Sequence, residues 1–153
     1  MAFVQNNAAA ETDDTQQNRY LTFLLGEEVY GIAIGDVIEI IGVLPVTPLP
    51  KAPDYLKGIM NLRGKIVPVI DVRLKFKKPA AKYTERTCIV VVEVQEMTVG
   101  LLIDEVSEVL TIESRDIVPP PALKDSRSNY ISGVSNTGGK VKLLLDCSAL
   151  LYE

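Results

Sequence analysis

The chain contains no histidine and only two cysteines in 153 residues. The missing histidine removes Ser-His-Asp triads, His-ligated metals and a phospho-accepting histidine. Carboxylate or lysine chemistry survives that exclusion. Cys88 and Cys147 stand far apart in apolar segments, and there is no C-x-x-C pair. They read as buried free thiols. Basic charge is not in excess either. Sixteen Lys and Arg face twenty Asp and Glu, a formal charge of -4, which leaves no electrostatic footprint for nucleic acid. No apolar run is long enough to span a membrane before a charge or glycine breaks it. The opening "MAFVQNNAAAETDDTQQN" lacks a basic start and a continuous apolar core, so it reads as no secretory signal. The expectation is a polar, flexible tail over residues 1–18 and a cytoplasmic protein.

What is present is 47% hydrophobic and 24% charged, enough for one ordinary domain or two small ones. The chain is also written twice. Tyr20–Ile41 lies against Ile89–Leu110 without a gap. Glu27 meets Glu96, Gly31 meets Gly100, Ile34 meets Ile103, Val37 meets Val106 and Glu39 meets Glu108. Asp54–Leu74 lies likewise against Asn129–Ala149. Tyr55 meets Tyr130, Gly58 meets Gly133, Gly64 meets Gly139 and Asp71 meets Asp146. The second copy carries six extra residues in its middle, in the proline-rich "IVPPPALKDSRS". Shared glycine, aspartate and tyrosine punctuation makes this an internal repeat.

Each copy reads as short strands. "YLTFLL" and "CIVVVEV" are β-branched or aromatic runs that end at polar turns, and "VYGIAI" and "TVGLLI" follow at hairpin distance. Apolar residues on both faces suit covered strands. "PDYLKG" and "SNYISG" predict a capped helical turn, with Asp54 or Asn129 as N-cap and Gly58 or Gly133 as stop. "KIVPVI" and "KVKLLL" predict the last strands. Pro68 cannot donate to a ladder, so its strand is expected at an edge or a bulge. Asp71 and Asp146 then cap a short terminal turn. The expected fold is all-β: two similar five-stranded barrels, one per copy (about 20–75 and 89–151), sharing an interface with a groove.

Few motifs carry chemistry. "SNTGGK" lacks the phosphate-loop spacing and aligns with "MNLRGK" as a hairpin turn. "DVIE" and "DEVSE" bring carboxylates together, as hydrolysis or Mg²⁺ binding would need, yet nothing else supports a catalytic pocket. A charged strand rim fits them better. "VPPPA" reads as a stiff loop, in the kind of segment that often makes contacts. Comparison of the copies singles out Arg63, whose counterpart is Gly138. Leu62 likewise stands against Thr137. The turn itself does not need an arginine.

"YGIAIGDVIEII", "YLKGIMNLRGKIVPVIDVRLKF", "VGLLIDEVSEVL" and "IVPPPA" resemble the bacterial chemotaxis coupling family, CheW, over about Arg19 to Leu151. The resemblance implies two SH3-like β-barrels and an adaptor without enzymatic activity, cofactor or metal. It implies two partners: the cytoplasmic tips of methyl-accepting chemotaxis receptors and the regulatory domain of the histidine kinase CheA. The membrane is then met only through receptors. Carried over by motif, the receptor groove comprises Ile34, Val37, Glu39, Ile40, Lys57, Gly58, Arg63 and Ile66, with Gly100 on its far wall. Kinase contacts fall at barrel ends, at Val46 and Leu49 in copy one and Val118 and Leu123 in copy two. Two alternatives stay open: a paralogous coupler of an array controlling pili or biofilm, and, more remotely, a small carboxylate-dependent hydrolase.

Overall fold

A computed structural model describes residues 18–120 and 127–152. Among the described residues ten strands carry the fold. The first half contributes β1 (Arg19–Leu25), β2 (Glu28–Ala33), β3 (Val37–Gly42), β4 (Leu56–Leu62) and β5 (Lys65–Asp71). The second contributes β6 (Cys88–Val94), β7 (Met97–Ile103), β8 (Glu105–Thr111), β9 (Ile131–Ser135) and β10 (Lys142–Leu145). Two short helices, α1 (Val72–Lys75) and α2 (Cys147–Tyr152), follow β5 and β10. Both begin as expected. The Asp71 side chain accepts from Leu74 N at 3.2 Å and that of Asp146 from Ala149 N at 3.3 Å. Both cysteines are free, Cys147 buried and Cys88 half-buried. Most of the expected tail lies outside the described residues. Asn18, its last residue, is held by a hydrogen bond from Ile112 N to its carbonyl, 2.7 Å.

The strands form two five-stranded sheets, ordered β8-β1-β2-β10-β9 and β3-β6-β7-β5-β4. Each sheet takes the opening hairpin of one copy and the last three strands of the other. This corrects the reading of one barrel per copy. The three-residue turn Ile34–Asp36 carries the chain out of the first sheet after β2, and Asp104 carries it back after β7. The joins are parallel and equivalent: β2 lies on β10, with Gly31 opposite Leu144, and β7 lies on β5, with Gly100 opposite Val69. A repeated glycine sits at each join for a packing reason. A Cβ on Gly31 would lie 2.9 Å from Leu144 Cδ2, and one on Gly100 would lie 2.8 Å from Ile89 Cγ2.

Neither sheet closes into a barrel, since its edge strands do not pair. Instead the segment after one edge strand makes a single bridge to the opposite edge: Thr47 to Ile59 in one sheet, Val118 to Val134 in the other. Two further readings need correction. "PDYLKG" and "SNYISG" form no helical turn. One turn bond closes each, Leu56 N to Pro53 O (3.1 Å) and Tyr130 N to Arg127 O (2.9 Å). The chain then enters a strand, because Tyr55 and Tyr130 carbonyls accept from Asp71 N and Asp146 N at 2.8 Å. Pro68 lies on an inner strand. It is tolerated there because the parallel ladder to β7 starts only at Val69.

The main core lies between the sheets and draws on both copies, with Phe23, Tyr30 and Ile32 meeting Val92, Leu101 and Leu145. A smaller core, Met60, Val67, Val69, Ile89, Val91 and Leu102, fills the inside of the second sheet. An aromatic ladder, Phe23–Tyr30–Phe76–Tyr130, ties β1 and β2 to α1, with centroid spacings of 5.8, 5.3 and 5.8 Å. The crossed topology makes a prediction. Residues 19–79 alone hold β1 and β2 without β8 and β10, and β5 without β7. Expressed by themselves they should give collapsed, poorly dispersed amide NMR spectra. A dispersed monomer spectrum would refute the shared core.

Glu28 on β2 accepts hydrogen bonds from Arg127 (2.7 Å) and the Tyr30 hydroxyl (2.8 Å), and pairs with Lys78 (2.7 Å). Partial burial opposes its ionisation, but the three donors together outweigh it and lower its pKa from 4.5 to about 2. A folded-state pKa below the unfolded one adds stability that is present above about pH 4.5 and lost as pH falls toward 2. Urea midpoints should therefore fall through that window. Glu28→Gln should start lower and flatten the slope there. An unchanged slope would dismiss the network.

Candidate functional site

The two edges of the second sheet, β3 and β4, meet in one ion pair. The Arg63 guanidinium donates to both Glu39 carboxylate oxygens, at 2.6 and 2.7 Å, a two-pronged fork. Arg63 occupies the β4–β5 turn with φ +52°, followed by Gly64 at φ +88°, which is the two-residue hairpin turn that needs left-handed backbone at both positions. Asn61 Oδ1 accepts from Gly64 N at 2.7 Å and locks the loop. At the matching place copy two has Gly138 and Gly139, at φ +83° and +89°. A β-carbon at Arg63 is thus strained where glycine would not be. The arginine side chain stays 68% exposed and Glu39 27%. The fork holds the Glu39 carboxyl below its ordinary pKa and raises that of Arg63.

Exposed apolar residues follow both partners closely in sequence. Ile40 is opposite Val90, a residue of the main core, so both lie on the sheet face turned toward the first sheet. In β5, Ile66 alternates onto the same face as Ile70, also a main-core residue. Yet Ile40 is 45% and Ile66 59% exposed, since the first sheet does not reach that far. Ile34 and Val37 lie partly buried against the main core. The structure therefore brings Glu39 and Arg63 into contact and sets Ile40 and Ile66 on one sheet face. Ile38, missed in the sequence, belongs to this surface. A bulge between Val37 and Glu39 drops it from the ladder and leaves it exposed. Its only signal was its place in "VIEII", an apolar run interrupted by Glu39 alone.

Three of the expected receptor residues sit elsewhere. Gly100 is buried on the inner face of the second sheet, so it does not line a groove wall. Gly58 is buried beneath Thr47, where a Cβ would fall 2.0 Å from the Thr47 carbonyl oxygen. Lys57 lines an apolar cavity of about 480 Å³ together with Val46 and Leu49, the two copy-one kinase residues. Val43, Leu56 and Leu102 also line it. Val118 is exposed beside its bridge to Val134. Leu123 lies outside the described residues.

The carboxylates do not converge. Asp104 accepts from Arg73 (2.8 and 2.5 Å) and from Gly26 N (2.8 Å), and Glu105 faces Arg86 at 4.0 Å. Asp36 adjoins the Cys147 thiol. Burial pushes that thiol up to about 12, and the carboxylate adds to the shift. Among the described residues, no group of three His, Cys, Asp or Glu side chains is placed to hold a metal ion. The geometry suits recognition: a displayed fork of donors, an exposed apolar sheet face, and a separate apolar cavity.

Known proteins are similar to this chain in sequence and in fold. The CheW-like domain family matches residues 19–153. A chemotaxis protein CheW of Klebsiella aerogenes is 38% identical over 139 residues, 90% of this chain and 84% of that protein. One of Rhizobium meliloti is 36% identical over 131 residues, 85% of this chain and 84% of its own. The crystal structure of the scaffolding protein TtCheW from Thermoanaerobacter tengcongensis is 34% identical. It covers 84% of this chain and 88% of that one, with a TM-score of 0.79. The chain, with its repeat, its two sheets and its NLRG hairpin, belongs to the CheW-like family.

Proposed function

We propose that the chain is a chemotaxis scaffold that couples the cytoplasmic tips of methyl-accepting receptors to the histidine kinase CheA. It is not an enzyme, as befits a family of scaffolds. The observation that carries the receptor half is Arg63, a strained and exposed arginine in a turn whose copy-two counterpart is glycine. Such a residue serves something outside the fold. Its fork presents donors to carboxylates or carbonyls of a helical receptor tip, and Ile40 and Ile66 offer apolar contact beside it. The kinase half uses the far ends of the sheets: Val46 and Leu49 at the apolar cavity in one, Val118 in the other, with Leu123 just beyond it in sequence. Recruitment to membrane-bound arrays then comes through receptors, and among the described residues no helix is long and apolar enough to cross a membrane.

The test is a pull-down with an immobilised receptor signalling fragment. Kinase should be retained only when this chain is present, and the chain should bind each partner singly. Kinase retention without it, or binding to neither partner, would end the coupling reading.

A further inference from the structure

Lys75, the last residue of α1, is only 6% exposed. Its ammonium sits 4.0 Å from the ring centroid of Tyr55 and 5.4 Å from that of Tyr130. Among the described residues it meets no carboxylate and no hydrogen-bond acceptor. The ring faces offset part of the cost of taking an ammonium out of water, but they satisfy none of its three N–H donors as an oxygen would. The repeat shows that the fold does not impose this cost. Lys75 aligns with Leu150 on α2, which is fully buried in the main core. Tyr55 and Tyr130 are themselves repeat partners. Leucine would suffice for packing, so lysine here supplies something leucine does not.

Lys75 lines a cavity of about 710 Å³ with Tyr55, Tyr130, Asp54, Lys77 and Lys78. Lys78 is taken by Glu28 at 2.7 Å, while Lys77 is exposed on the rim at φ +61°. With Lys78 neutralised by Glu28, the ammonium groups of Lys75 and Lys77 stand against the single carboxylate of Asp54; that balance favours an anion, and lysines bind phosphate as point charges. The space is far larger than one phosphate and falls within the usual size of small-molecule sites, roughly 300–1,000 Å³. We propose that this cavity binds a small phosphate monoester, its phosphate on Lys75 and Lys77 and its organic body along the tyrosine-lined wall. The cavity includes none of the Arg63 surface, so the proposal stands apart from receptor coupling.

Amide NMR of the full chain, titrated with adenosine monophosphate, inorganic phosphate and adenosine, tests it. The monophosphate should shift Tyr55, Lys75 and Tyr130 saturably, inorganic phosphate should shift the same residues more weakly, and adenosine should shift none. Lys75→Leu, which installs the copy-two residue, should keep a dispersed spectrum and weaken the monophosphate by about tenfold or more. Should that variant lose its fold, Lys77→Ser on the exposed rim gives the second reading, with a loss of several-fold expected. Absence of saturable shifts at millimolar monophosphate, or unchanged affinity in the folded Lys75→Leu or in Lys77→Ser, would overturn the site. Equal affinity for inorganic phosphate and the monophosphate would overturn the ester and leave free phosphate as the ligand.

Discussion

Arg63→Glu is expected to abolish receptor coupling while the fold and most kinase binding survive. The fold should survive because the side chain is exposed and because the aligned position in copy two, Gly138, takes the same left-handed backbone without an arginine. The surface ion pair contributes little to folding, since an exposed pair in water gains little net energy. Coupling should fail for two reasons. The substitution removes the donor fork, and it sets a second negative charge beside Glu39. Truncating a charged hydrogen bond at the centre of an interface costs on the order of a hundredfold in affinity, and reversing the charge adds repulsion. Three variants separate the causes. Arg63→Gly relieves the left-handed strain, so it should not lower the urea midpoint, yet it should still lose coupling. Arg63→Glu combined with Glu39→Arg restores the pair with reversed polarity. Partial rescue would show that the fork mainly holds the two sheet edges together, and absence of rescue would show that Arg63 meets the receptor itself. Unfolding by Arg63→Glu would make the arginine structural and sink the assignment.

Arg63 was legible in the sequence because the repeat supplied its own control: the same aligned position, with and without the arginine. The hairpins, the Asp71 and Asp146 caps and the free thiols were legible because each is a local matter of period or capping. The crossed sheets were not. Both copies carry the same pattern, so β2 matches β5 and β10 equally well. The structure lays it on β10, after the three-residue turn at Ile34–Asp36. The same blindness hid what packs against Gly58 and Gly100. A glycine in a family motif looks the same whether a partner or another strand approaches it, and here the approach is made by Thr47 and by Ile89. The surroundings of Lys57 were hidden similarly. The bulge between Leu56 and Gly58 resets the register of β4, and a one-residue shift exchanges sheet faces. Ile38 was missed for the same reason, at the bulge in β3. Non-local register, then, set the limit on reading this site.

Gly58 is where that limit has its largest consequence for stability. Its φ is +142°, backbone that L side chains rarely adopt, and its missing Cβ leaves room for the Thr47 carbonyl. That carbonyl accepts from Ile59 N at 2.9 Å, while Thr47 N donates to Ile59 O at 2.8 Å. These two bonds are the whole bridge that joins the segment after β3 to the far edge strand β4. Gly58→Ala must therefore strain the backbone by about 1–3 kcal/mol and push away a bridge whose bonds are worth about 1 kcal/mol each. A loss of about 3–5 kcal/mol is expected, a large share of the stability of a domain this size. Gly133→Ala, at the equivalent position, should cost less. There the nearest atom is the side-chain methyl Ile117 Cγ2, at 2.6 Å, which can move, and the φ is ordinary. The contrast also divides the two roles at the site. Gly58→Ala should weaken receptor and kinase binding together, in step with its lowered urea midpoint, whereas Arg63→Glu should lose the receptor at an unchanged midpoint. A Gly58→Ala protein as stable as the parent but deficient only toward receptor would return Gly58 to the contact surface and refute the bridge as the reason for the glycine.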